Sequence, residues 1–131
     1  MDKEEILSKI KEIIEFYPQI KLVYLFGSLA SGKAGPLSDT DLAFYIDERD
    51  KKKLFDIKFE LMDKISRKLE TDKIDIVILN LTESPELKYN IIKDGELIYS
   101  QEPFKVIIEP KILNEYFDFY AILKRYNLTK A

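Results

Sequence analysis

Helix-type and β-type hydrophobic patterns alternate along this chain, and that alternation constrains its fold more than any other feature. Residues 2–17 place Ile6, Ile10, Ile13, Ile14 and Tyr17 on one stripe at three- and four-residue spacing, which predicts an amphipathic helix. Pro18 ends it, because proline cannot continue the backbone ladder. Residues 21–26 (KLVYLF) form a short aromatic and β-branched run bounded by Pro18 and Gly27, the signature of a buried strand. A Gly- and Ser-rich stretch fills 27–38, and residues 41–46 (DLAFYI) read as a second strand. After the basic run at 51–53, Leu54, Ile57, Leu61, Ile65 and Leu69 mark a long amphipathic helix. Residues 74–79 (IDIVIL) give the strongest strand signal, with Asp75 as their only polar residue. Residues 83–92 fit a short helix with Pro85 in its first turn and Gly95 closing it, and 96–99 offer one more strand. Pro110 is expected to open a last helix with Leu113, Tyr116, Phe117, Tyr120 and Leu123 on one stripe and Phe119 and Tyr126 off it. The expected class is α/β (α+β), a mixed β-sheet flanked by helices.

At 131 residues the chain fits one domain, large enough to fold without disulfides or a structural metal. It contains no cysteine and no histidine, which excludes thiol nucleophiles, imidazole bases and Ser-His-Asp triads. Any catalysis must therefore run on carboxylates, hydroxyls, amines and bound ions. The formal net charge of −3 argues against a protein that coats phosphate backbones, so direct nucleic-acid binding is not expected. The amino terminus is charged from its second residue, and no apolar run is long enough for a signal peptide or a bilayer span. The expected address is the cytoplasm, with no membrane contact.

The chemistry concentrates in three aspartates. Asp39 and Asp41 stand two apart at the entrance of the second predicted strand, so their side chains point to one side. Like charges held that close repel unless a cation sits between them. Asp75 adds a third carboxylate inside an apolar strand, where an unpaired charge demands compensation. Hard oxygen donors without His or Cys suit Mg²⁺ or Mn²⁺ and not zinc. Taken alone, Asp-Thr-Asp is more often a solvated turn or cap. Gly27 and Ser28, directly after the first strand, can turn backbone N–H groups and a hydroxyl toward a phosphate, although a plain turn uses the same residues. Residues 27–33 (GSLASGK) also spell the start of a P-loop, but Ala34 stands where a metal-binding hydroxyl is required, and Gly35-Pro36 follow where a helix should begin.

Gly27-Ser28, then Asp39-Thr40-Asp41, then Asp75 in a later strand resemble the motif of the minimal nucleotidyltransferases of the DNA polymerase β superfamily. The likeness is to their small antitoxin branch, paired with HEPN-domain toxins. The resemblance implies a nucleotidyltransferase (polymerase β-like) core in which Gly27 and Ser28 hold the triphosphate of ATP. It further implies that Asp39 and Asp41 bind two Mg²⁺ ions, and that Asp75 completes one metal site and helps to activate the attacking hydroxyl. Leu29 and Ser31 stand where family members often carry arginines, which leaves Lys33 as the cation available to the triphosphate. The implied reaction moves AMP from ATP to a hydroxyl, a tyrosine of the cognate HEPN ribonuclease toxin, and silences it. Two other readings stay open: a toxin-binding antitoxin without catalysis, and a transferase acting on a small molecule. The aromatic segment 110–126 reads either as a helix lying on the sheet or as a contact surface for the toxin or a second copy, as a hetero- or homo-oligomer.

Overall fold

The alternation of side chains along the strands builds three layers. The computed structural model describes residues 3–27 and 39–128, so Ser28 and Lys33 lie outside the described residues. The elements are α1 (Lys3–Ile14), β1 (Ile20–Phe26), β2 (Thr40–Ile46), α2 (Lys51–Leu69), β3 (Ile74–Ile78), α3 (Pro85–Asp94), β4 (Glu96–Ser100) and α4 (Phe104–Arg125). The strands form one sheet in the order β3-β2-β1-β4, with β2 and β3 parallel and β1 antiparallel to both β2 and β4. The parallel pair needs a crossover, which α2 supplies.

Val23, Leu25, Leu42, Phe44, Ile74, Ile76 and Ile78 pack on one face of the sheet against the buried stripes of α1 and α2. Leu22, Tyr24 and Ala43 face the other way, toward Ile91 of α3 and Ile108 and Ile112 of α4. The stripes read from the sequence in α1 and α2 are the buried ones: Ile6, Ile10, Ile13 and Ile14, then Leu54, Ile57, Leu61, Ile65 and Leu69. Asp50 caps α2 by accepting from the Lys52 N–H at 2.9 Å, and Ser84 caps α3 by accepting from the Leu87 N–H at 3.2 Å. These satisfy donors that the first turn of a helix leaves unpaired. Asn80 finishes β2 like an extra strand residue: its Oδ1 accepts from Ile46 N–H at 3.0 Å and its Nδ2 donates to Ile46 C=O at 2.7 Å.

The last helix departs from expectation. It begins at Phe104 rather than at Pro110, which lies inside it. Proline in a helix interior forfeits one backbone bond, and tertiary packing outweighs that loss here. Ile108 and Ile112 are buried on the sheet, and Tyr24, itself only 1% exposed, donates from its hydroxyl to Glu109 Oε2 at 2.6 Å. These anchors also set the phase of the helix. Phe117 and Tyr120, expected on the core stripe, are 55% and 46% exposed, whereas Phe119, expected off it, is half-buried. Among the described residues, no helix is long and apolar enough to cross a membrane.

Candidate active site

Asp41 and Asp75 are register partners on the parallel strands β2 and β3. Alternation puts both on the face of the sheet that carries α3 and α4, because Ala43 and Val77, two residues further on, belong to that face. Asp39 comes two residues before Asp41, just outside the strand, and its charge is felt at Asp41. The three aspartates named from the sequence thus gather at one end of the sheet, where β1 finishes and β2 and β3 begin.

Asp41 sits at the centre of the group. Burial raises its carboxyl above the ordinary carboxylate range, and the charges of Asp75 and then Asp39 raise it further. Asp75 is exposed, so the desolvation expected from its apolar sequence neighbours does not arise; its side chain opens on solvent at the mouth of the site. Thr40, between Asp39 and Asp41, is buried, and its N–H donates to the Lys73 carbonyl at 2.9 Å, which ties the start of β2 to the start of β3.

Gly27 follows β1 with a left-handed φ of +78°, and the carboxylate of Asp41 lies directly against its Cα. Any side chain there would collide with Asp41 Oδ2, so glycine meets both a backbone and a packing requirement. The sequence marks Gly27 as a phosphate-turn candidate but carries no sign of its contact with Asp41. A cleft of about 320 Å³ opens beside Gly27, lined by Phe26, Leu87, Asn90, Ile91 and Asp94. Its α3 residues carried no sequence signal, since a helix face shows its neighbours only after the sheet order is known.

The charges of Asp75 and Asp39 raise the proton affinity of Asp41, a repulsion that a hard divalent cation would relieve. Among the described residues, no group of three or more acidic side chains is arranged to hold a metal ion. Mg²⁺ is commonly held by one or two carboxylates together with substrate phosphates, so a bound nucleotide would have to supply further ligands. Asp41 and Asp75, paired across β2 and β3, with Asp39 beside them in the chain, are the oxygen donors available to such an ion.

Residues 8–104 match the family model described as polymerase beta, nucleotidyltransferase. The match takes in Gly27 and all three aspartates, and the chain belongs to this nucleotidyltransferase family. Its fold is also that of solved toxin-antitoxin proteins. A chain of a toxin-antitoxin complex with AMP-PNP superposes with a TM-score of 0.77 at 23% identity, covering 92% of this chain and 94% of that one. A chain from the complex of tri-AMPylated HEPN toxin with MNT antitoxin from Shewanella oneidensis gives 0.71 at 21% identity, covering 96% and 95%. A chain of an MntA-HepT toxin-antitoxin structure gives 0.72 at 21%, covering 95% of each. No curated protein sequence matches the chain.

Proposed function

We propose that this protein is a Mg²⁺-dependent adenylyltransferase that moves AMP from ATP to a hydroxyl, a tyrosine of a HEPN-domain toxin, and so acts as its antitoxin. The observation that carries the reading is the Asp41–Asp75 register pair with the Asp41 carboxylate packed against Gly27. In this reading the paired carboxylates would lie beside a triphosphate bound at the Gly27 turn. The solved proteins of the same fold include one with AMP-PNP and one whose HEPN toxin is tri-AMPylated.

In this reading the Gly27 turn leads the backbone toward the triphosphate, with Ser28 and Lys33 as its further contacts. Asp39 and Asp41 hold the divalent ions, and Asp75 shares one of them. Bound Mg²⁺ would neutralise charge that develops on the phosphate oxygens. Asp75, exposed at the rim, orients the acceptor hydroxyl and accepts its proton as the oxygen attacks the α-phosphorus. The bond from that phosphorus to the bridging oxygen breaks, and pyrophosphate leaves with the electron pair. No imidazole is needed, as the absence of histidine requires.

The partner contact is assigned to the outer half of segment 110–126. The face that buries Ile108 and Ile112 continues at helical spacing through Tyr116, Phe119, Leu123 and Tyr126, where Tyr126 is 65% exposed. Tyr89 of α3 stacks on Tyr116 with ring centroids 3.9 Å apart, and Phe117 meets both rings edge-on. A rigid aromatic cluster with charge at its margin suits the centre of a protein interface.

The test uses ATP labelled at the α- or the γ-phosphate, with Mg²⁺ and the HEPN-domain protein. Label from the α-position alone should appear on that protein. Label on neither the toxin nor any added small hydroxyl compound, in a complex that still forms, would leave this chain a binding antitoxin.

A further inference from the structure

Strand β3 is an edge of the sheet, and its outer side is unpaired among the described residues. In a parallel ladder every second residue turns its N–H and C=O to the neighbouring strand. Thr40 N–H donates to Lys73 C=O at 2.9 Å and Leu79 N–H donates to Phe44 C=O at 2.8 Å, so the odd-numbered residues of β3 face β2. The N–H and C=O groups of Ile74 and Ile76, and the N–H of Ile78, therefore point outward; the Ile78 carbonyl already accepts from Leu81 and Thr82. Among the described residues, no strand pairs with them.

Natural edge strands are usually blunted by lysine, proline or a bulge. The β3 sequence, IDIVI, carries neither residue, and its register with β2 runs without a shift. A groove of about 320 Å³ follows this edge. Phe55 and Lys58 of α2 form one wall and Leu87 of α3 the other, and the groove reaches Asp75. Phe55 is 46% exposed, and Phe59, one turn further along α2, is 63% exposed.

We infer that this edge receives an extended segment of the protein substrate as an added strand, which carries the acceptor hydroxyl to Asp75. The inference rests on the reading of the site as a transferase acting on a protein hydroxyl. Unpaired strand amides and carbonyls recognise an extended backbone and little else. Alternation then fixes the side chains of the guest. The acceptor residue lies on the α3 side beside Asp75, and the residue two positions away on the same side is apolar, meeting Leu87. The residue between them faces Phe55 and Lys58 and is acidic, to match the ammonium group.

The test is residue-resolved amide hydrogen exchange on this protein, free and in complex with the HEPN-domain protein plus AMP-PNP, so that no transfer is needed for the readout. Asp75 and Val77 amides should be slow in both states, and Ile76 and Ile78 amides should slow by at least about tenfold in the complex. Unchanged exchange at Ile76 and Ile78 in a formed complex would overturn the inference, whether or not AMP is transferred. In the transfer assay, Lys58→Glu and Phe55→Glu should each raise KM for the protein acceptor about tenfold and shift kcat less than about twofold. A lowered kcat at unchanged KM would also overturn it. Transfer that fails in wild-type protein while Ile76 and Ile78 become protected would instead overturn the reading of the site and keep the docking edge.

Discussion

Asp41 carries opposite demands from folding and from function. Its raised proton affinity means that the folded chain binds a proton there more tightly than the unfolded chain does. The group's contribution to stability is therefore fully present below the ordinary carboxylate pKa of about 3.9 and is lost as pH rises through its higher folded value. At neutral pH the charge is a net burden on the metal-free protein. Asp41→Asn should accordingly melt at a higher temperature than wild type in EDTA at pH 7, with the gain shrinking toward acid pH, while transfer falls by at least about a hundredfold. A lower melting temperature at pH 7 would mean that the carboxylate makes stabilising contacts that outweigh its repulsion. Gly27→Ala should instead lose stability and transfer together. Its Cβ would displace Asp41 Oδ2 from a left-handed turn, so denaturant unfolding should register a loss of about 1 kcal/mol or more along with lost transfer.

Among the elements, α4 shows where a local rule yields to packing. Pro110 reads as a helix start because its missing N–H costs nothing in a first turn. Six helical residues precede it in the fold, and their anchors on β1 and α3 decide the outcome. The Tyr24–Glu109 bond is one anchor, joining a buried phenol to a carboxylate 85 positions away. Burial, and then the Glu109 carboxylate, raise the phenol's pKa well beyond its usual value, so it stays a donor at any working pH. Tyr24→Phe should cost about 2 kcal/mol in denaturant unfolding, the scale of a hydrogen bond to a charged group. A loss under about half a kcal/mol would show that Ile108 and Ile112 hold the helix alone. Farther out, Phe117→Glu should fold normally and weaken binding of the HEPN-domain protein by at least about tenfold, as measured by calorimetry. Retained affinity would remove the outer half of α4 from the interface.

At the scale of the whole molecule, the order of elements was legible because the strands are short apolar runs, β1 bounded by Pro18 and Gly27 and β4 preceded by Gly95, and each of the first two helices shows one apolar stripe. The sheet order was not legible. Nothing local states that β2 and β3 pair in parallel, yet that pairing sets Asp41 beside Asp75. Likewise, the compensation expected for Asp75 assumed burial, whereas a strand's first residues can open to solvent at the sheet's end. The phase of α4 is not legible because its core residues precede and flank Pro110, which locally reads as a helix start.

A sheet end that transfers AMP to another protein must leave a covalent product there. Intact-mass spectrometry of the HEPN-domain protein, after incubation with this chain, ATP and Mg²⁺, reads that product directly. The account predicts a gain of one or more whole AMP units, located on tyrosine by fragmentation, with no gain when Asp41→Asn replaces wild type. An unmodified mass with wild-type protein in a formed complex, or an equal gain with Asp41→Asn, would contradict it.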